Sequence, residues 1–509
     1  MNHWLILPIL LPAMVAPLLA LAVRHDLMLA RTFSVGTTVL LVLLGMYQLG
    51  MTADGVTRTY SLGNWPAPFG IVLVLDRLAA IMLLLTAVLG LFVLLYAING
   101  CDRQGEHFHP LFQFQLMGLN GAFLTGDLFN LFVFFEVLLI ASYGLMVHGG
   151  GPARIRAGIQ YVIINLIGSS IFLVALGLIY GITGTLNMAD FAARLPAVAA
   201  GDSALLHCGF ALLLVVFGIK SAAVPFHFWL PGTYANTSGP VAALFSIMTK
   251  VGAYAILRVV TLAYGDLDGP VGWFAASWLM GAAMVTIAAG AVGVIAARSL
   301  GQQSCFAALG SMGLLLIAIA AFTPQAGSAA LYYLVHSTLA IAALFLVIDA
   351  VILRRTGFGD ALVAAPSIPH AGLIGSMFFI AVVAVVGMPP LSGFVAKLMI
   401  LQATASLVAW PWIWGLILIS SLLLLVAFAS SGSLVFWKSE QVAADIEVRR
   451  VPPIALPMIA VGALLALLVC LTLCAGPVVR FFDATAEQLF DPRQYIEAVL
   501  GTTREGRPS

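Results

Sequence analysis

Charge is what this chain has least of. Only 8% of its residues are Asp, Glu, Lys or Arg, against 62% apolar, whereas soluble proteins carry about a quarter charged side chains. That scarcity excludes the several soluble domains that 509 residues would otherwise suggest, and it is the composition of a chain embedded in a bilayer. Its 22 basic and 21 acidic residues nearly cancel, so no electrostatic footprint for nucleic acid is present. The five cysteines, Cys101, Cys208, Cys305, Cys470 and Cys474, include no Cys-x-x-Cys pair or Cys/His grouping. Neither a disulfide framework nor a zinc or iron–sulfur site is therefore expected. Cys470 and Cys474 share a helical face as packing residues. Without a Gly-x-Gly-x-x-Gly or Walker-type Gly-Lys-Ser/Thr loop, nucleotide chemistry is not expected either. The sequence points to no cofactor, no metal and no enzymatic catalytic residue.

What it has in quantity is long apolar runs. A helix needs about 20 predominantly apolar residues to cross the hydrocarbon core. Cutting the chain at charges, Gly/Pro clusters and polar runs predicts fourteen spans, near 4–23, 32–50, 77–98, 108–125, 128–148, 157–181, 204–230, 240–263, 271–297, 304–322, 328–353, 370–408, 412–437 and 454–480. The first begins Met1-Asn2-His3 with no Lys or Arg, so it reads as a membrane helix rather than a signal peptide. The twelfth is too long for one crossing and contains Gly387-Met388-Pro389-Pro390-Leu391-Ser392-Gly393, which predicts a broken helix. The seventh, with Pro225 in Ala223-Val224-Pro225-Phe226-His227, is read the same way. Non-helical backbone at membrane depth is tolerated where protein or water surrounds it, and broken helices at matching places in two halves suggest inverted repeats.

The predicted fold is therefore an all-α polytopic membrane protein of about 14 transmembrane helices, with two inverted five-helix repeats and broken helices 7 and 12. The expected segments are 1–107 (three helices), 108–265 (spans 4–8), 266–438 (spans 9–13) and 439–509 (the last helix and a polar tail). One set of loops holds Arg24, Arg31, Arg103, Arg154, Arg156, Arg298, Arg354, Arg355, Lys438, Arg449 and Arg450. The other holds Arg58, Arg77, Arg194 and Arg258, with Arg480, Arg493, Arg504 and Arg507 in the tail. The richer set is expected in the cytoplasm, with both termini outside.

Three of the four lysines, Lys220, Lys250 and Lys397, fall inside predicted spans. A charge near the bilayer centre costs at least about 2.5–3.5 kcal/mol on insertion scales and usually faces a polar interior where it carries function. Snorkelling to an interface is the bland alternative. Their counter-charge is Glu136, the one acid near the centre of a span. Asp349 is read as a local surface pair with Arg354, and Asp127 as the N-cap of the fifth span. His336, eight residues into its span, fits a proton relay in the company of the lysines, since imidazole accepts and donates near neutral pH. His227, after the Pro225 break, is at least as well explained by hydrogen bonds to freed backbone. Burial disfavours a charged lysine and an adjacent carboxylate favours it, so opening and closing a Glu136–Lys220 pair would release and capture a proton. Packed helix axes lie about 8–10 Å apart, so water must link the stations.

At these residues the chain resembles the antiporter-like subunits shared by respiratory complex I and the multisubunit Mrp-type cation/proton antiporters. The stretches Leu124 to Tyr143, Lys220 to Pro231 and Ile247 to Tyr254 carry the resemblance most specifically, and look like the D-type subunit of the Mrp-type systems. The resemblance implies Glu136 and Lys220 as a proton-loading pair, Lys250 as the central relay, His336 as a connecting group and Lys397 as the terminal site. It implies exchange of Na⁺ or K⁺ for protons, partner subunits in a hetero-oligomer, and a bacterial cytoplasmic membrane. Many relatives open span 10 with a Lys-Arg pair, but here the stretch is Leu300-Gly301-Gln302-Gln303-Ser304-Cys305, which puts a relay through that span in doubt. The chain ends soon after span 14, which favours the D type over the A type. A proton-pumping arm subunit of a redox enzyme, or a structural scaffold, are the other readings. Nothing in the sequence resembles the oxygen-rich cage that hard cations prefer.

Overall fold

The computed structural model of the chain describes residues 3–198, 203–263, 270–355, 357–438 and 453–504. In chain order its main elements are α1 Leu7–Leu21, α2 Leu27–Thr52, β1 Arg58–Ser61, β2 Val72–Leu75, α3 Arg77–Ala97, α4 Phe108–Leu124, α5 Leu128–Val147, α6 Pro152–Thr183 and α7 Met188–Arg194. Then come α8 Ser203–Lys220, α9 Trp229–Asn236, α10 Gly239–Phe245, α11 Met248–Ala263, α12 Pro270–Ala296, α13 Leu300–Ala320 and α14 Pro324–Ile352. The chain finishes with α15 Ala371–Val386, α16 Ser392–Thr404, α17 Trp410–Gly432, α18 Ala455–Leu473, α19 Ala475–Phe490 and α20 Pro492–Arg504. Among the described residues, 11 helical stretches are long and apolar enough to cross a membrane.

Helix starts are fixed by short polar side chains that accept from otherwise orphaned N–H groups. Asp26 accepts from the N–H of Leu29 at 3.0 Å, Asp76 from Ala79 at 2.9 Å, Asp127 from Asn130 at 2.8 Å and Thr323 from Ala326 at 3.1 Å. Asp127 is thus an N-cap, as its position in the turn suggests. Core helices α11, α13 and α14 are buried nearly all round, while α2 and α17 leave wide apolar faces exposed. A helix apolar on every side has no amphipathic signal to orient it, and neighbouring helices supply the orientation instead.

The connections gather on two opposite faces. On one, β1 and β2 pair antiparallel with Arg58 opposite Leu75, Leu73 bridges to Thr125, and Asp127 bridges to Asn187. His3 lies 3.3 Å from the Tyr60 hydroxyl on this face, and Gln488 of α19 donates to the carbonyl of Gly55 at 2.8 Å, so α19 and the residues before α1 meet this face. On the other, Arg31 makes a two-pronged contact with Asp102 at 2.6 and 2.9 Å, and His148 contacts the carbonyl of Cys101 at 2.9 Å. Arg154 donates to the carbonyl of Asn236 at 3.0 Å and Asn99 to that of Pro453 at 2.9 Å. Burial pushes the Asp102 carboxyl up, but hydrogen bonds from His109 and Arg31 outweigh it and hold the group below the usual carboxylate range.

Two expectations are corrected, those for Arg258 and Asp349. Arg258, counted as a loop residue, lies inside α11 with 2% of its surface exposed, paired with Asp76 at 2.5 and 2.8 Å. A buried arginine is retained because its guanidinium matches a carboxylate fork to fork, and its partner sits 182 residues away. Asp349 is no surface ion pair: it accepts from the Tyr96 hydroxyl and from the N–H of Gly239, both at 3.0 Å, and so ties α14 to α3 and to the first turn of α10. The polar tail is the helix pair α19 and α20, docked through Arg77, which donates to the carbonyl of Ala484 at 3.0 Å. The all-α architecture carries one small β element, a two-stranded hairpin that fills the connection before α3. The boundaries near 265 and 438, together with Arg449, Arg450 and Arg507, lie at or within stretches outside the described residues.

Candidate functional site

Both broken helices arise where the sequence removes backbone donors. In the second half, α15 ends at Val386, Gly387 turns with φ +77°, and α16 resumes at Ser392. Pro389 and Pro390 have no N–H to offer the carbonyls of the last turn. One of those carbonyls, that of Val386, accepts from Lys397 Nζ at 2.6 Å, and Ser421 of α17 accepts from the same ammonium at 2.6 Å. The cation thus sits at a helix C-terminus, where the peptide dipoles present partial negative charge. A cavity of about 20 Å³ adjoins it, lined in part by Ser311, Tyr333 and Ser420, which is room for about one water.

In the first half, α8 ends at Lys220 and the chain resumes helical structure at Phe226. Here the freed backbone is satisfied from a distance: Trp229 Nε1 donates to the carbonyl of Ile219 at 3.1 Å, and Thr286 of α12 accepts from the N–H of Val224 at 2.9 Å. His227 does not perform that service; its Nδ1 has no partner among the described residues. Lys220 is buried, donates to Asn165 Oδ1 of α6 at 3.2 Å, and lies 5.7 Å from the centre of the Phe135 ring. Glu136, at mid-length of α5, is half-buried and accepts from the Ser169 hydroxyl, one turn beyond Asn165. Among the described residues no ion pair joins Glu136 to Lys220.

Lys250 and His336 are the remaining candidates. A Cβ on Gly252 would stand 2.5 Å from Ser221 Oγ and 2.9 Å from the carbonyl of Phe217. Only glycine there lets α11 abut the break of α8 at this point, two residues along from Lys250. Lys250 is 1% exposed, and its ammonium has no hydrogen-bond or ion-pair partner among the described residues. Ser246, at the joint of α10 and α11, donates to the carbonyl of Thr338 at 3.1 Å, tying the approach to Lys250 to α14 two residues from His336. His336 Nδ1 lies 2.9 Å from Ser392 Oγ at the start of α16. A Cβ on Gly393 would collide with the carbonyl of Ala384 and stand 2.8 Å from His336 Nε2, so this glycine too is required by close approach. The five candidate residues lie on α5, α8, α11, α14 and α16; packing at Gly252, the Ser246–Thr338 hydrogen bond and the His336–Ser392 hydrogen bond link these helices, and among the described residues no hydrogen bond or ion pair joins one candidate directly to another.

Sequence reasoning missed the neutral partners of these candidates, Asn165, Ser169, Ser392 and Ser421. A signal for the first two existed: Asn165 and Ser169 stand four apart in an otherwise apolar run, which puts both on one helical face. Gln302 and Gln303, where a basic pair was sought, serve the connection before α13 instead. Gln302 Oε1 accepts from the N–H of Arg298 at 3.2 Å, and Gln303 donates to the carbonyl of Val294 at 3.4 Å.

A polytopic helical membrane protein with buried lysines and a histidine at or near two broken helices defines a narrow class, and comparison with known proteins agrees. Residues 125–425 match the family described as NADH:quinone oxidoreductase/Mrp antiporter, TM, and the chain belongs to that family. It is 40% identical to the D-type subunit of the probable K⁺/H⁺ antiporter of Rhizobium meliloti (strain 1021), covering 99% of each chain. It is 37% identical to the D-type subunit of the Na⁺/H⁺ antiporter of Bacillus subtilis (strain 168), covering 98% of this chain and 100% of that one. A chain in the structure of the Mrp complex from Dietzia sp. DQ12-45-1b superposes with a TM-score of 0.88 at 27% identity, covering 98% and 100% of the two chains.

Proposed function

We propose that this chain is the proton-translocating membrane subunit, of the D type, in a hetero-oligomeric antiporter that exchanges Na⁺ or K⁺ for protons. It is a transporter subunit rather than an enzyme. In this reading the chain crosses a bacterial cytoplasmic membrane fourteen times as two inverted five-helix repeats, with both termini outside. Removing Arg258 from the termini-side loops leaves that face poorer in basic residues, in keeping with the orientation.

The observation that carries the proposal is the burial or half-burial of four bases, Lys220, Lys250, His336 and Lys397, together with the acid Glu136 inside this helical membrane chain, with Lys220 and Lys397 at its two helix breaks. Glu136 and Lys220 load the proton, Lys250 relays it, His336 connects, and Lys397 is the terminal site. A lysine in a dry interior holds its proton weakly, and an approaching carboxylate strengthens the hold. Small changes in the spacing of Glu136 and Lys220 then change which of them carries charge, and the imbalance passes along the row through internal water. The side chains perform reversible protonation alone. Cation coupling is a property of the assembly, in which cation movement favours one of two arrangements of the loading pair.

The test is Glu136→Gln in the complete complex, assayed as Na⁺- or K⁺-induced dequenching of a pH dye in everted vesicles. The amide keeps the shape and removes the charge, so exchange is expected to vanish while membrane abundance is unchanged. Near-normal exchange would reduce Glu136 to a structural role.

A further inference from the structure

The acid and base at the head of the row do not touch; α6 stands between them. Ser169 donates to Glu136 Oε1, while Asn165 Oδ1 accepts from Lys220 Nζ at 3.2 Å. The two α6 residues are four apart, hence one turn, about 6 Å, along the same helical face. Asn165 is itself oriented, because its Nδ2 donates to the carbonyl of Tyr161 at 2.9 Å and so turns the oxygen toward the lysine. Tyr161 is anchored in turn by a 2.9 Å hydrogen bond to Ser142 of α5. Asn165 and Tyr161 are both 1% exposed and Ser169 is 7% exposed. The arrangement offers the carboxylate a donor and the ammonium an acceptor, each neutral.

We infer that Asn165 and Ser169 are positioning residues for proton loading. They hold Glu136 and Lys220 charged and apart, so that the proton moves when α6 shifts against α5 and α8. The inference rests on the proton-loading role proposed above for Glu136 and Lys220. A direct ion pair in so dry a place would be hard to open, since low dielectric strengthens the attraction. With no partner at all, each charge would be lost to neutralisation. Neutral hydrogen bonds occupy the middle ground: they satisfy each charge and are exchanged at small cost when the helix moves. Because both partners ride on α6, one displacement of that helix alters both contacts together, which two unrelated partners would not do.

The experiment compares Ser169→Ala, Ser169→Thr and Asn165→Leu with the parent and with Glu136→Gln, in the complete complex in everted vesicles, with assembly checked on native gels. Loss of a hydrogen bond to a charged group corresponds to roughly a tenfold or greater effect. Exchange is therefore expected to fall by about that factor in Ser169→Ala and Asn165→Leu, and to return toward the parent rate in Ser169→Thr, which restores the hydroxyl. Parent-like exchange in both Ser169→Ala and Asn165→Leu overturns the inference, as does equal damage in Ser169→Thr and Ser169→Ala, which would mark a packing role. If Asn165→Leu fails to assemble, the isosteric Asn165→Asp decides: a carboxylate set on Lys220 should slow exchange, and an unchanged rate counts against the inference. An active Glu136→Gln is a separate outcome that removes the loading-pair reading itself. An inactive Glu136→Gln beside unaffected α6 variants removes only the positioning role.

Discussion

The buried pair between Asp76 and Arg258 supplies a sharp test of how this fold is held. Each residue is 2% exposed, the guanidinium meets the carboxylate at 2.5 and 2.8 Å, and its cationic carbon lies 5.6 Å from the Tyr254 ring centre and 5.3 Å from that of Tyr495. Asp76 also caps α3 through the N–H of Ala79. Asn caps about as well as Asp, so Asp76→Asn preserves the helix start and removes only the charge. It leaves an arginine buried without a counter-ion, a loss of about 3–5 kcal/mol. The double variant Asp76→Asn with Arg258→Gln removes both charges and is expected to be the more stable of the two. Because Tyr495 lies on α20, the single variant should also loosen the C-terminal helices and expose them to protease. The assay is the temperature at which half of the detergent-extracted protein loses its monodisperse chromatographic peak, with protease sensitivity of the C-terminus alongside. An unchanged midpoint in Asp76→Asn, or a double variant weaker than the single one, would refute the reasoning.

A reporter fused after Arg504 should behave as exported, and cytoplasmic activity there would overturn the fourteen-crossing topology. The chain expressed alone in cells lacking their own sodium/proton exchangers should insert but show no Na⁺- or K⁺-driven dequenching, because the proposed relay moves protons only and, among the described residues, no group of acidic, histidine or cysteine side chains is placed to hold a hard cation. Robust exchange from the isolated chain would put the cation site here.

Much of this architecture is legible in the sequence for physical reasons. Apolar runs near the length of a crossing announce helices, and prolines at 225, 389 and 390 announce the breaks because they withdraw hydrogen-bond donors. Lysines in such runs stand out because their burial is costly. What escaped was information held between distant segments. Arg258 resembles a span end until Asp76 is seen against it, and Asp349 resembles half of a local pair until Tyr96 and Gly239 are seen to donate to it. Helices α19 and α20 read as a polar tail because average hydropathy hides an apolar face, here including Phe482 and Leu489. Asn165 and Ser169 carry no charge, so a search for charges passes them by, although they are the direct partners of two of the charges it finds, Lys220 and Glu136.

The central claim, that protons pass laterally along one row, is tested most directly at its middle. Lys250 is buried, and its ammonium is without a protein partner among the described residues, so replacing it should disturb little but the row. Cation-driven proton movement should be measured in everted vesicles holding the complete complex with Lys250→Ala, beside Lys397→Ala at the end of the row, with assembly verified for each. The account predicts loss of exchange in both with the complex intact. Ordinary exchange in assembled Lys250→Ala would contradict it.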